Sequence, residues 1–385
     1  MQLRDLTLDD LDAVMDNRTR AFGLLSEAEQ EVWRRLVVPM LGGGRYLGLV
    51  DGPRLVATSR IADFTQWWHG RPISMGGVAS VTVAPEDRGR GVARTLMQAT
   101  LDRCADLGHP VSALYPATTP LYRSLGWEHA GAMYRATLPA EALRGIGLTE
   151  RVGLRRMGPG DAAEVIALLG RVHAATRASG PVRWDAGAWE SRLADKDAFL
   201  YLADDGFVVY RWNGNDIEVS NLVAGSEATV RALWSLVGSS ASIAKSVRAV
   251  VAPDDPVLWL IGDRAEDRIE QTRWMFRVVD LASAVAGRGF PPGVVLDTVI
   301  QVDDPRREAN SGSWHLTVSG GSGTVQPAGS RPGTVPVLTA NALAALYAGV
   351  PTPTLRRSGL LTGPADGDAA LDEAFQARPH MLDYF

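Results

Sequence analysis

Residues 3–6, two leucines around a charged pair, read as a short extended strand, and Leu8-Asp9-Asp10 then opens a run with apolar residues at Leu11, Val14 and Met15. That spacing is one face of a helix, and acidic residues in its first turn suit the helix dipole. A second helix is predicted over residues 26–36, where Ser26 and Glu29 form a capping-box pair. After the Gly42-Gly43-Gly44 turn, residues 46–50 and 55–61 read as a hairpin about Asp51-Gly52. Residues 75–83 are extended and apolar, with a break expected at Gly76-Gly77, and residues 91–107 form a long amphipathic helix stopped by Gly108. A buried strand over 111–115, a short helix over 120–125 and a strand over 127–138 complete the order β-α-α-β-β-β-α-β-α-β. Such an order predicts a mixed sheet with helices on its faces, an α/β or α+β sandwich.

From Gly153 the opening recurs. Residues 153–165 repeat the strand, loop, acidic cap and helix of residues 2–14. A hairpin-like stretch over 199–212, a strand over 217–223, a helix over 228–239 and a strand over 246–252 follow, so the region reads as a second, degenerate copy. Near Phe276 the composition shifts. Val278-Val279-Asp280-Leu281, residues 293–302 and residues 314–318 read as strands, and residues 319–336 as a Gly/Ser/Pro-rich hairpin with a loose tip. Helices are predicted over 339–347 and 371–376. The last residues, His380 to Phe385, are apolar enough that a docked rather than frayed terminus is expected. Domains are therefore expected at 1–150, 151–277 and 278–385, which suits a chain of 385 residues, too long for one ordinary core.

Charge and cysteine content narrow the chemistry. A formal net charge of −5 with no basic stripe argues against nucleic-acid binding. With Cys104 as the one cysteine, an intramolecular disulfide and a Cys-rich metal site are excluded, and the six histidines lack ligand spacing, so no metal is expected. Cys104 itself falls on the apolar face of its helix and reads as core. The charged N-terminus has no signal-peptide core, and no apolar run reaches the roughly 18 residues of a membrane span. A cytoplasmic protein without membrane partners is expected.

The sharpest chemical signal runs from Val81 to Met97, where an apolar strand meets a Pro/acidic turn and Arg88-Gly89-Arg90-Gly91-Val92-Ala93 opens a helix. A glycine-rich turn feeding a helix N-terminus presents free N–H groups and a favourable dipole to a pyrophosphate. Gly89 and Gly91 let the backbone approach without a Cβ, and Arg88, Arg90 and Arg94 can add charge-assisted contacts. Neither a Walker loop nor a GxGxxG dinucleotide fingerprint is present.

This segment resembles the acyl-CoA-binding motif of the GCN5-related N-acetyltransferase (GNAT) superfamily, Arg/Gln-x-x-Gly-x-Gly/Ala, at Arg88, Gly91 and Ala93. Downstream, Tyr122-Arg123-Ser124-Leu125-Gly126-Trp127 is similar to the family's Tyr-x-x-x-Gly-aromatic element. Two such domains followed by a small sterol-carrier-protein-like α/β domain resemble the Eis (enhanced intracellular survival) group. The resemblance implies tandem GNAT folds, the second degenerate, and acetyl-CoA as acyl donor. Ser80, Val81, Thr82 and Val83 would face the pantetheine arm and thioester, and Arg88 to Ala93 (Gly89, Arg90, Gly91 and Val92 between them) would hold the pyrophosphate.

Transfer to an amine needs a neutral nucleophile, donors for the developing oxyanion and a proton for the leaving thiolate. The resemblance casts Tyr122 as general acid, the α-carboxylate of Phe385 as base and the N–H of Val81 or Val83 as oxyanion donor. An α-carboxyl of roughly 3.3–3.7 is a weak base, so that role calls for a buried terminus. Trp33, Trp67 and Trp68 fall where the family builds its acceptor pocket, with Asp16, Asp383 and Tyr384 as further acceptor contacts. The second copy has Val223-Ala224-Gly225-Ser226 at the cradle position and should not bind coenzyme A. The implied acceptors are amines of aminoglycosides, polyamines or lysine side chains, and the implied assembly is a homo-oligomer, a hexamer in the family. Two other readings stand beside this one: a natural-product tailoring enzyme with an aromatic acceptor, and a non-catalytic carrier of an apolar ligand.

Overall fold

The capping box read at Ser26 forms: its Oγ accepts from the Glu29 N–H at 3.3 Å, while the Glu29 carboxylate accepts from the Ser26 N–H at 2.8 Å. Such reciprocal caps fix where elements begin, and the computed structural model, which describes residues 1–262, 268–329 and 333–385, follows the hydrophobic pattern closely in its first part. There the elements are β1 (Gln2–Asp5), α1 (Leu11–Phe22), α2 (Glu27–Val37), β2 (Tyr46–Asp51), β3 (Arg54–Trp68), β4 (Arg71–Val83), α3 (Val92–Asp106), β5 (Val111–Leu114), α4 (Thr119–Arg123) and β6 (Glu128–Pro139). Gly76-Gly77 does not interrupt β4, contrary to expectation. The glycines are there for clearance, since a Cβ on Gly77 would lie 2.4 Å from the Phe64 ring.

The repeat holds at atomic detail. After α5 (Ala140–Arg144), the second copy comprises β7 (Arg155–Arg156), α6 (Ala162–Ala175), β8 (Val182–Arg183), α7 (Ala186–Leu193), β9 (Phe199–Ala203), β10 (Gly206–Asn213), β11 (Asp216–Ala224), α8 (Glu227–Gly238), β12 (Ser246–Val251), α9 (Val257–Leu260) and β13 (Arg268–Val278). In the first copy Arg4 pairs with Asp10 at 2.6 Å, and the Asp10 carboxylate caps the Thr7 N–H at 2.8 Å. In the second, Arg155 pairs with Asp161 at 2.9 Å and Asp161 caps the Gly158 N–H at 2.7 Å. The same ion pair and cap start both copies.

Sheet order follows chain order from β1 to β5 and then departs from it. The large sheet runs β1-β2-β3-β4-β5-β13-β6-β12-β11-β10-β9-β7, with β8 on β3. Strand β13 therefore lies between β5 and β6, antiparallel to both, while β6 continues onto β12. The copies exchange their last strands and share one sheet.

The remaining chain forms α10 (Leu281–Gly287), β14 (Leu296–Asp303), β15 (Gly312–Ser319), β16 (Ser322–Pro327), β17 (Val337–Thr339), α11 (Ala340–Tyr347), α12 (Thr352–Arg357), β18 (Leu361–Thr362) and α13 (Asp368–Phe375), with a second sheet ordered β16-β15-β14-β17-β18. The strand expected at Val278-Val279-Asp280-Leu281 is instead a strand end and a helix start, because the Asp280 side chain caps the Ser283 N–H at 2.7 Å and opens α10. The Gly/Ser/Pro-rich stretch turns at Gly320-Gly321 between β15 and β16, and its residues 330–332 lie outside the described residues. A buried ion pair joins this unit to the sheet. Arg277 of β13 donates twice to Asp304 at 2.7 Å, with both side chains at 0% exposure, and also donates to the Leu125 and Val278 carbonyls. Removing one partner would strand a buried charge. Asp304→Ala should lower stability by about 3–5 kcal/mol, read as an earlier denaturant midpoint of the full chain.

Candidate active site

Strands β4 and β5 run parallel from Met75↔Val111 to Val78↔Leu114 and then part. Beyond Val78, β4 stays bound to β3, with one irregularity: Thr58 pairs with Thr82 and Arg60 with Ala79, so Ser80 and Val81 stand opposite Ser59 alone. Ser80 has a φ of +51°, left-handed and unusual for a residue with a Cβ. The result is a β-bulge at the mouth of the gap that β5 leaves, where ladder pairing is locally lost. Residues 79–81 and Val83 are half-buried there, in contrast with the fully buried residues 75–78. Strained backbone of this kind collects at functional sites.

The turn after β4 leads into α3. Gly89 (φ +77°) and Gly91 (φ +78°) both occupy the left-handed region, and a Cβ on either would meet open space. Backbone geometry, not crowding, requires glycine at these positions. The first bonds of α3 run from the Arg94 and Thr95 N–H groups to the Gly91 carbonyl at 3.0 and 3.1 Å. The N–H groups from Gly89 to Ala93 thus have no described backbone acceptor, which is an anion cradle at a helix start. Arg88 is exposed at its edge. Arg90 is differently engaged, because its guanidinium lies 2.5 Å from the carboxylate of Asp87, which also binds Arg54. Beside these two cations Asp87, though buried, is held below the usual carboxylate range.

Tyr122 sits on α4 just past β5 and is 5% exposed. Burial, reinforced by neighbouring Tyr384, pushes its phenol up to about 12, so it stays protonated through the neutral range. Close by is the C-terminal tail. The His380 N–H donates to the Ser179 carbonyl at 3.0 Å and the Met381 N–H to the Ala132 carbonyl at 3.2 Å, so the tail is stitched between the copies. The Tyr115 hydroxyl donates to the Asp383 carbonyl at 2.9 Å, and its ring lies 4.3 Å from that of Tyr384. The ring of Phe385 lies 4.8 Å from Phe64 and 5.6 Å from Tyr115. Asp383, 6% exposed, is 2.7 Å from Arg192 Nη1, an ion pair without aligned hydrogen-bond geometry. Arg192 in turn lies over Trp184 and Trp189 at 4.9 and 5.3 Å.

The fold therefore gathers Ser80 to Val83, Tyr122, Asp383, Tyr384 and Phe385 around the parting of β4 and β5. It does not bring the expected tryptophans there. Trp67 is buried with its ring 5.0 Å from His173 in the second copy, Trp68 is wholly core, and Trp33 packs half-buried beside Val14 and Val37. Asp16 is exposed and paired with Arg20 at 2.7 Å. Phe64, Tyr115, Trp184 and Arg192, which flank the tail, were not singled out in the sequence; only the apolar tail itself hinted that something must cover it. Cys104 is fully buried and pushed up to about 12 by that burial, which suits core packing. Among the described residues no group of three or more His, Cys, Asp or Glu side chains could hold a metal ion, and no helix is long and apolar enough to cross a membrane.

The chain is similar over its whole length to a GCN5-related N-acetyltransferase from Kribbella flavida, with 48% identity, coverage of 100% of this chain and 98% of that one, and a TM-score of 0.96. This chain belongs to the GCN5-related N-acetyltransferase family. An acetyltransferase (GNAT) domain family matches residues 2–130, a second such family residues 180–278, and a sterol carrier protein domain family residues 281–382. The layout is thus two GNAT domains and a sterol-carrier-like domain. The chain is 28% identical over 255 residues to N-acetyltransferase Eis of Mycobacterium tuberculosis, a match that spans 60% of this chain and 62% of the relative. It shares the fold of Eis1 from Mycobacterium abscessus, at 22% identity, full coverage of both chains and a TM-score of 0.79.

The clearance at Gly77 offers a test of the tail's placement. A Cβ there would also lie 3.1 Å from the Phe385 ring. Gly77→Ala should cost about 1–3 kcal/mol by overpacking and loosen the tail. Faster amide exchange at His380 and Met381 is the expected readout.

Proposed function

We propose that this protein is an acetyl-CoA-dependent N-acetyltransferase of the Eis type that acetylates an amine by direct transfer. The observation that carries the reading is the run of N–H groups from Gly89 to Ala93 without a described backbone acceptor, at the turn and helix start that follow β4 and its bulge at Ser80. Acetyl-CoA supplies an acetyl group already activated as a thioester. Arg88 and the N–H groups of Gly89, Arg90, Gly91, Val92 and Ala93 hold its pyrophosphate, and the backbone of Ser80, Val81, Thr82 and Val83 aligns its arm. The Val81 or Val83 N–H stabilises the negative charge that grows on the carbonyl oxygen. Tyr122 holds the proton for the departing sulfur, and the α-carboxylate of Phe385 takes one from the incoming ammonium. The homo-oligomer implied by the family resemblance belongs to the same proposal.

On this reading the acceptor enters by a cavity of about 330 Å³ that lies between the tail at Leu382, Asp383 and Tyr384, strand β6 and the second copy. Of the amines implied by the resemblance, those of aminoglycosides, polyamines or lysine, a monoamine suits this cavity better than a polycation. Arg135, Arg192, Arg211 and Arg248 line it with Asp195, Glu218 and Asp383, and of these carboxylates Asp383 already pairs with Arg192 and Asp195 with Arg211. The rings of Phe64, Tyr115 and Trp184 around the tail favour a second reading, an aromatic acceptor.

The test is thiol release from acetyl-CoA with a panel of amines, run against pH. Because the pKa of Tyr122 is raised, its acid form persists above the ordinary tyrosine range. The rate should therefore climb as the acceptor loses its proton, without a fall from Tyr122 below about pH 11. Tyr122→Phe should lower kcat about 100-fold across that range. Absence of turnover with every amine would contradict the assignment.

A further inference from the structure

The second copy parts its strands at the place where the first does. There β11 and β12 run parallel from Ile217↔Val247 to Val219↔Ala249 and then diverge, as β4 and β5 do. The gap opens into a cavity of about 690 Å³, within the size range of small-molecule sites. Pyrophosphate chemistry is missing from it. The start of α8 is closed by the Ser226 side chain, which accepts from the Thr229 N–H at 3.3 Å, and no glycine-rich turn precedes it.

Charged groups without ion-pair partners, and a buried histidine, line this space instead. His173 lines the cavity, is 5% exposed, and its ring hydrogen-bonds to no described residue. Burial, with His380 nearby, pushes it down to about 3, so it is a neutral donor or acceptor. Asp255 is 9% exposed; its Oδ1 accepts from the Val257 N–H at 3.0 Å, and no described cation pairs with it. Burial raises its carboxyl to about 6, as expected for an acid lacking a counter-charge. Asp254 lies beside it on the same lining. Arg177, at the end of α6, and Arg378, on the tail, also line the cavity, and neither has an ion pair with a described residue. Their segments are joined by the bond from His380 N–H to the Ser179 carbonyl. Two carboxylates after β12 and two guanidinium groups on these joined segments thus share one lining unpaired. Leu222, Val230 and Leu382 supply apolar wall between polar groups.

We propose that this second cleft binds a short peptide-like zwitterion, its ammonium at Asp254 and Asp255 and its carboxylate at Arg177 and Arg378. His173 meets a polar group of the ligand's middle, and the apolar side chains rest on Leu222, Val230 and Leu382. An ammonium beside Asp255 supplies the counter-charge that the protein withholds from this buried carboxyl. Leu382 lines both this cleft and the cavity beside Asp383, so the tail forms a common wall.

Titration calorimetry of the full chain without acetyl-CoA tests this, with leucyl-leucine as probe. N-acetyl-leucyl-leucine removes the ammonium, and leucyl-leucine amide removes the carboxylate. One-site binding of leucyl-leucine is expected, with each blocked derivative at least about tenfold weaker. Asp255→Asn keeps the acceptor for the Val257 N–H and should weaken leucyl-leucine about tenfold at an unchanged melting temperature. Arg378→Gln, an exposed change that leaves the core intact, should do likewise. No binding at millimolar peptide, equal binding of either blocked derivative, or wild-type affinity in both variants would overturn the proposal.

Discussion

Strand β13 is the constraint on which the rest of the molecule depends. Formed far along the chain from β5 and β6, it pairs with both and fills the space between them. Neither copy can then close its own sheet: β6 leaves the first for β12, and β13 leaves the second for β5. The same strand carries Arg277 into the core, where Asp304, the Leu125 and Val278 carbonyls and the neighbouring Asn310 satisfy the buried charges. A buried ion pair is weak evidence for stability on its own, but breaking it is costly, so it fixes the register of the third unit against the first. Gly126 is part of that fit, since a Cβ there would lie 2.8 Å from the Arg277 guanidinium.

From this shared sheet two clefts follow, one in each copy. The first keeps a left-handed turn with open N–H groups, whereas the second places a serine cap at the equivalent helix start. The tail runs along both. It is held by backbone bonds to Ser179 and Ala132 and by the ion pair of Asp383 with Arg192, and ends among Phe64, Tyr115 and the ring of Tyr384. The third unit contributes to acetyl transfer, on this account, chiefly by delivering that tail.

What was legible in the sequence was local. The capping box at Ser26, the hairpin at Asp51-Gly52, the helix after Gly91 and the echo of Arg4…Asp10 in Arg155…Asp161 all depend on residues a few positions apart. The strand exchange was not legible, because β13 has the pattern of any strand and nothing in it names its partners. The tryptophans failed for a related reason. Trp67 and Trp68 sit on opposite faces of β3, and which face meets another domain is set by packing that periodicity does not encode. Gly76-Gly77 read as a breaker when clearance for Phe64 was the reason. The residues flanking the tail come from β3, the end of β5, the turn after β8 and α7, and only the assembled fold makes them neighbours.

The donor site is the central claim, and titration calorimetry with acetyl-CoA on wild type and on Gly91→Glu tests it most directly. Gly91 combines a left-handed backbone with open space at the cradle, so the variant places a carboxylate where the pyrophosphate would sit. The account predicts one-site binding by wild type and its loss in the variant, with the melting temperature lowered by only the few degrees that a left-handed residue with a Cβ costs. Equal affinity in the two proteins, or no binding by wild type, would contradict it.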